Sequence, residues 1–562
     1  MMKRGIALAD DTAQAKSQAE VAWKQQAKKR ILSNALSAAE TQKDLLSAQA
    51  AGARGMGDVL ANRSNAKNAK RDFMNKLLRE NYNGRDSIGQ KFPQQTCEQV
   101  RYSLWVPFLL PHEWLPLYTR WEESLDDLEP EDDYMRSARQ RLAKTLHADP
   151  HKLVVLGLHG DGVPIGGTMA EESLDVFNVN MPTSRKHASM RIPFACIQLK
   201  HTVPETFEAI VKIFCWSMRC LAAGVRPKQR HDASPFLLKS DKNRMPRAGA
   251  RPEEGKLGVQ AFLAELRGDW KWLQKLFHFP AWNKGTGFCW LCKCLLPHLR
   301  CLDTAAAPWR YQRLAGEAFL QLCREQGIPV SEIFSLPGVS PEIVFPDWMH
   351  SADMGVAQDV IAHVFHEVLP RMPGLSLPER TKCLFSHILK YYETSSVGDR
   401  LQTLEPKAFT SSGVGKANKL KSKAAVARGL VPFLPALTRR FLTSGSVHDL
   451  TVQSVAQNLA ACYRLHDAPG QDLQKACRRF ANSYAALERE VLASAPSSAH
   501  WRIKPKLHLF QELCEYSPRA ARLFWCYKDE TFGDICAKLF QRRGGHDNPG
   551  RNSETFLLLG AV

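Results

Sequence analysis

The stretch that most constrains the fold is residues 153–167, which read LVVLGLHGDGVPIGG. A short apolar run that leads into glycine-rich sequence is typical of a buried strand followed by a tight turn. Asp161 is then at or just beyond the end of the strand, between two glycines that let other groups approach its backbone. A carboxylate at such a position is suited to bind a divalent cation. The alternative is a hairpin with Asp161 in its turn and a second strand over residues 174–179.

Further apolar runs predict an α/β region. We expect strands and one long amphipathic helix in this order: strands over 153–158, 174–179 and 192–199, a helix over 204–223, and a strand over 259–266 that ends at Arg267-Gly268-Asp269. Three strands, a helix and another strand is the opening order of an RNase H-like mixed sheet. We therefore assign residues 151–294 to the first part of such a core.

The rest of the chain divides by composition. Residues 1–92 are rich in Ala, Lys, Arg, Gln and Asn, which predicts a basic arm, helical in part or disordered, and 93–150 are expected to pack on the core. Residues 295–500 carry helical spacing and predict a large all-α insertion domain, and 501–562 should complete the core. The helices expected from this spacing cover residues 133–146, 307–326, 355–369, 377–392, 447–465 and 473–493.

The charge balance favours a polyanionic partner. The chain of 562 residues has 76 Lys and Arg against 57 Asp and Glu, a formal net charge of +19. Nucleic acid is the simplest such partner, and a basic tail that only aids solubility is the alternative. The basic clusters at 226–230 and 416–423 are suited to phosphates or to solvated loops. The sequence shows neither a signal peptide nor a long apolar run, so we expect an intracellular protein with no membrane partner and with reduced cysteines.

Four blocks in a fixed order resemble the catalytic region of cut-and-paste DNA transposases with an RNase H-like fold. The resemblance is nearest to the CACTA (En/Spm-like) group, more distant to hAT elements, and runs from about residue 150 to 545. The blocks are LHGDGVPIG with Asp161, RGDWKWLQKLFHFPAWNKGTGFCWLCKC with Asp269, Cys289 and Cys292, FPDWMHSADMGVAQDVIAHVF with Asp347 and His350, and KPKLHLFQEL followed by WCYKDETFGDICAKLF with Glu530. Met354 stands where the family has leucine, and the first 150 residues show no zinc finger.

The resemblance implies a DDE triad of Asp161, Asp269 and Glu530, with Asp529 as the alternative third acid. The triad would bind Mg²⁺ or Mn²⁺ for DNA cleavage and strand transfer. At Asp529 and Glu530 the competing interpretation is two acids that favour a helix N-terminus. The implied partners are transposon ends and target DNA. A homo-oligomer is compatible with the resemblance, and we expect the protein to reside in the nucleus. The competing functions are a catalytically inactive or domesticated DNA-binding protein and an RNase H-like nuclease, and the long helical insertion argues against the latter.

Cys289 and Cys292 form a Cys-x-x-Cys half-site for a structural Zn²⁺. His350 is the expected third ligand, and His508 or Cys301 the fourth. The alternative is that these cysteines, in the apolar stretch FCWLCKCLL, are buried without a ligand.

Overall fold

The fold combines a four-stranded mixed sheet with many helices. A computed structural model describes residues 90–95, 101–106, 108–119, 132–165, 173–182, 191–236, 255–280, 289–300, 307–314, 316–410 and 418–542. The strands are β1 (Gln90–Gln95), β2 (Arg101–Val106), β3 (Leu153–Pro164), β4 (Ser173–Asn180), β5 (Arg191–Gln198) and β6 (Gln260–Gly268). Up to residue 325 the α-helices of the described chain are α1 (Pro111–Tyr118), α2 (Asp133–Thr145), α3 (Pro204–Ala223), α4 (Trp270–Phe277), α5 (Pro308–Tyr311) and α6 (Gly316–Glu325).

The second half of the described chain is helical. It contains a π-helix (Met349–Ala357), α7 (Gln358–Val368), α8 (Leu377–Thr394), α9 (Ala424–Leu430), α10 (Leu434–Phe441), α11 (Val447–Leu465), α12 (Gln471–Ser494), α13 (Pro505–Tyr516) and α14 (Tyr527–Arg542). Local hydrogen bonds set where α8 begins: the Ser376 side chain caps the helix and pairs with Glu379 in a capping box.

The sheet has the strand order β5-β4-β3-β6. β3 pairs with β4 and β4 with β5 in antiparallel fashion, whereas β3 and β6 are parallel. A parallel pair needs a crossover connection, and the long α3 lies in that connection. β3 is buried along its first eight residues because both of its faces are covered.

Apolar side chains form two large cores. One surrounds the sheet and contains side chains from α1, α3, α4 and the last helix, α14. The other unites the π-helix with α7 to α13. The C-terminal helix therefore packs with the sheet, although the helical region precedes it in the chain.

The predicted strands and the helix over 204–223 are confirmed, and four of the six expected helices match closely. Two helix predictions are wrong in detail. The helix expected over 307–326 is divided into α5 and α6, and the one expected over 355–369 begins at Gln358, after the π-helix. The arm predicted over 1–92 lies outside the described residues except for the start of β1. Among the described residues, no helix has the length and apolar character needed to cross a bilayer.

Candidate metal-binding active site

The register of β3 and β6 brings the first two predicted acids together. Gly160 of β3 is the partner of Gly268 of β6, and each glycine is followed directly by an aspartate. Because the strands are parallel, Asp161 and Asp269 follow paired residues in the same direction. The hairpin of the alternative is present, since β3 pairs with β4, but both sequence-based positions of Asp161 are wrong. Asp161 lies within β3, opposite Val176, and is neither in the turn nor at the end of the strand.

The two glycines are needed for close packing of one indole. A Cβ built on Gly160 would lie 2.1 Å from Trp272 Cζ2, and one on Gly268 would lie 2.6 Å from Trp272 Cε3. Trp272 is buried in the first turns of α4 and covers both strands next to the aspartates. Glycine at both positions therefore fixes the helix against the ends of the strands that carry the acids.

Each aspartate is oriented by a local hydrogen bond. The Gly162 N–H donates to Asp161 Oδ1 at 2.7 Å, and the Trp272 N–H donates to Asp269 Oδ1 at 2.6 Å. Asp269 is thus the N-cap of α4. One carboxylate oxygen of each residue is held by the backbone, which leaves the Oδ2 atoms to bind a cation.

Glu530 reaches the same place from the first turn of α14. The helix lies close to β3 because Gly533 has no side chain: a Cβ there would be 2.8 Å from Val163 Cγ2. The carboxyl groups of Glu530 and Asp161 lie close enough for each to act on the pKa of the other. The three acids expected from the sequence therefore converge in the folded chain.

The acids have the electrostatics of a cation site. Burial, together with the nearby charges of Glu530 and Asp269, raises the pKa of Asp161 from 3.8 to about 8. Burial likewise raises the pKa of Glu530. Glu530 Oε1 is buried, and among the described residues it has no hydrogen-bond partner. An acceptor left without a donor and several repelling carboxylates fit a divalent cation with oxygen ligands.

Asp529 has different neighbours from Glu530. It is fully buried, accepts hydrogen bonds from Arg191, and lies 3.3 Å from Arg267 Nη1. Burial alone would raise the pKa of Asp529, but Arg267, His159 and Arg191 hold it well below its ordinary value. These ion pairs attach the start of α14 to β5 and β6, and they direct Asp529 away from the role of third acid.

His350 lies against these acids, and we call the site formed by Asp161, Asp269, Glu530 and His350 the acidic pocket. Its Nδ1 lies 2.7 Å from Asp347 Oδ2, and its Nε2 lies 3.6 Å from Glu530 Oε1. Burial opposes the charged ring, but the hydrogen bond to Asp347 and the charges of Asp347, Glu530 and Asp161 raise the pKa of His350 to about 9. Asp347 also accepts from the Cys526 N–H at 2.9 Å, so it links the π-helix to the segment before α14.

A second group of ligand atoms lies elsewhere in the molecule. Cys289, Cys292, His508 and Glu512 are all buried, and each offers a ligand atom within 4.8 Å of the others. His508 Nε2 is 3.3 Å from Cys292 Sγ and 3.3 Å from Glu512 Oε1. Neighbouring ligands of a tetrahedral zinc ion are about 3.3 to 3.8 Å apart, given the usual Zn–N and Zn–S bond lengths. The group therefore fits a tetrahedral metal ion.

The prediction of His350 as the third ligand of this site is wrong. His350 lies in the acidic pocket, and the place beside the two cysteines belongs to His508, the alternative fourth ligand. Glu512 was missed by the sequence reasoning, although His508 and Glu512 are four residues apart on α13 and so share one face of that helix. Cys301 lies outside the described residues.

Burial and neighbouring charges set the protonation of this group in the absence of a metal ion. Burial raises the pKa of both Cys289 and Cys292, so the thiols keep their protons until a metal ion binds. Burial alone would raise the pKa of Glu512, but hydrogen bonds from His508 and Arg313 hold it below its ordinary value. Arg313 Nη1 lies 2.7 Å from both Glu512 oxygens and orients this carboxylate from outside the ligand group.

The chain matches no known family model and no curated protein.

Proposed function

We propose that this protein is a transposase-like enzyme that cleaves DNA phosphodiesters and transfers strands with a DDE triad. Asp161, Asp269 and Glu530 would bind two Mg²⁺ or Mn²⁺ ions. The single observation that carries the proposal is that Asp161 on β3, Asp269 directly after β6 and Glu530 on α14 lie near enough for their charges to act on one another. Carboxylates whose charges act on one another are stabilised when a cation binds them.

The sheet supports an RNase H-like core. In chain order its strands are arranged third, second, first and fourth, with the first and fourth parallel. An RNase H-like sheet begins in this way and places its acids on the first strand, after the fourth strand and on the last helix. The helical segment between β6 and α14 takes the place of the insertion domain in the transposases that the sequence resembles.

The side chains around the pocket have distinct roles in this proposal. Asp161, Asp269 and Glu530 bind the ions, which supply an activated water or 3′ hydroxyl and stabilise the leaving oxygen. The protonated His350 balances their charge before the ions bind, and Asp347 orients its ring. Asp529 holds the start of α14 and so positions Glu530.

DNA cleavage by the purified chain tests the proposal. We expect nicking of supercoiled plasmid with Mg²⁺ or Mn²⁺, none with EDTA, and a loss of more than about a hundredfold in Asp161→Ala. Asp534→Ala is the matched control, because Asp534 is exposed on the same helix as Glu530. DNA binding without cleavage under either metal would contradict the proposal and favour an inactive, transposon-derived DNA-binding protein. Cleavage confined to RNA–DNA hybrids would favour an RNase H-like nuclease.

We further propose that Cys289, Cys292, His508 and Glu512 bind a structural Zn²⁺. Thiolate and imidazole groups bind Zn²⁺ in preference to Mg²⁺. The site would join the segment after α4 to α13, which lie far apart in sequence. It would thereby attach the helical region to the sheet-containing core.

A DNA substrate implies transposon ends and target DNA as partners and the nucleus as the compartment. The net charge of +19 supports a polyanionic partner. Microscopy of a fluorescently tagged full-length chain tests the compartment, and exclusion of the tagged chain from the nucleus would contradict it.

A further inference from the structure

Three lysines from two segments lie beside the acidic pocket. Lys504 and Lys506 flank the first residue of α13, and Lys419 precedes Leu420 in the segment before α9. The Leu420 N–H donates to the Gln358 carbonyl at 2.9 Å, which fixes this segment against the start of α7. Two segments distant in sequence therefore bring the three lysines near one carboxylate, that of Asp359.

Lys506 connects the lysines with the acids. Its Nζ donates to the backbone carbonyl of His350 at 2.9 Å, and the ring of the same histidine lies next to Glu530. The stem of Lys506 passes over Gly355 of the π-helix, where a Cβ would lie 2.8 Å from Lys506 Cδ. The absence of a side chain at Gly355 thus gives Lys506 its path to the rim of the pocket.

The three lysines share one nearby acid, Asp359. Lys504 Nζ lies 2.7 Å from Asp359 Oδ2, and the charges of Lys419 and Lys506 act on the same carboxylate. Grouped like charges at a half-buried surface are stabilised by a bound anion.

We infer that Lys419, Lys504 and Lys506 bind a backbone phosphate of the DNA strand whose cleavage the acids catalyse. The inference rests on the proposed function, because the DNA in the pocket determines which anion reaches the lysines. Lysine binds phosphate as a point charge and donates up to three hydrogen bonds, so it needs no fixed planar geometry. The site would hold the strand in register with Asp161, Asp269 and Glu530 and would contribute affinity rather than chemistry.

Salt-dependent DNA binding by the full chain tests this site. A fluorescently labelled DNA duplex is titrated with protein in EDTA over a series of salt concentrations. We expect Lys506→Gln and Lys419→Gln each to reduce the slope of log affinity against log salt by about one. Lys382→Gln is the control, because Lys382 is exposed on α8. In cleavage assays the two variants should raise KM more than they lower kcat.

Lysine labelling of the unaltered protein tests the same site without a substitution, so the test still applies if a variant does not fold. We expect bound duplex to protect Lys419 and Lys506 from acetylation, as measured by mass spectrometry, and to leave Lys382 reactive. An unchanged salt slope in a folded Lys506→Gln, or equal labelling with and without DNA, would overturn the lysine site while DNA cleavage stood. A parent protein that binds no DNA would overturn the proposed function together with it.

Discussion

His350 Nε2 lies 3.6 Å from Glu530 Oε1, across the contact between the π-helix and the C-terminal helix α14. The contact ties the acid of the last helix to a residue at the start of the helical region. The hydrogen bond to Asp347 and the carboxylate charges together keep the ring protonated against the effect of burial. The helical region thus contributes a charged group to the same pocket as the sheet.

Neighbouring acids on α14 should respond differently to neutralisation. Glu530→Gln should abolish metal-dependent cleavage and change the free energy of unfolding little, because Glu530 lies in a pocket with other acids. Asp529→Asn should destabilise the fold by about 3 to 5 kcal/mol, since it removes the buried carboxylate that pairs with both Arg191 and Arg267. Urea unfolding and cleavage assays of both variants test this pair. Equal stability of the two variants would contradict a structural role for the ion pairs of Asp529 with Arg191 and Arg267.

Stability without divalent ions should fall as pH rises. The pKa of Asp161 is about 8 in the folded chain against an ordinary 3.8, so the native state retains a proton that the unfolded chain releases. The loss should extend from about pH 4 to about pH 8, at up to about 1.4 kcal/mol per pH unit. Asp161→Asn cannot titrate and should flatten this dependence.

Urea unfolding at about pH 5 and pH 8, in parent and variant, measures this difference. Mg²⁺ should restore the parent's stability at the higher pH, because the ion replaces the proton at the carboxylate. The same pH profile in parent and Asp161→Asn would refute a perturbed Asp161.

Two glycines on either side of Asp161 should differ in their tolerance of a methyl group. Gly160→Ala would place a Cβ 2.1 Å from Trp272, so we expect destabilisation of about 1 to 3 kcal/mol or more. Gly162→Ala is the matched control, because its Cβ would meet Asp175 Oδ1 at an ordinary 3.5 Å. Thermal unfolding of both variants tests the close approach of Trp272, and a Gly160→Ala protein as stable as the control would disprove it.

Zinc content should depend on Cys292 and not on Cys294. Elemental analysis of the purified chain should find one zinc per molecule, and Cys292→Ser should lose it. Cys294→Ser should retain zinc, because Cys294 is equally buried in the same stretch but is not part of the ligand group. Zinc binding to the metal-free protein should release protons from the thiols. Parent protein with no bound zinc would refute the site.

Some of the site could be read from the sequence because the signals are local. The apolar run before Asp161 predicts a strand, and an apolar stripe after Glu530 predicts a helix. The Cys-x-x-Cys spacing marks half of a metal site. The other half, His508 and Glu512, was accessible as a pair four residues apart on a helix, but nothing in the sequence indicates which half-site it faces.

The sequence by itself determined which residues can carry the chemistry and which elements present them, since periodicity and short motifs act over a few residues. Only the tertiary structure decided their partners. The register of β3 and β6 sets Asp161 beside Asp269, and the packing of α14 selects Glu530 for the pocket while Asp529 joins the arginines. The same packing assigns His350 to the acids and His508 to the cysteines. These choices depend on contacts between segments far apart in the chain, which are fixed by burial and charge pairing across the whole core.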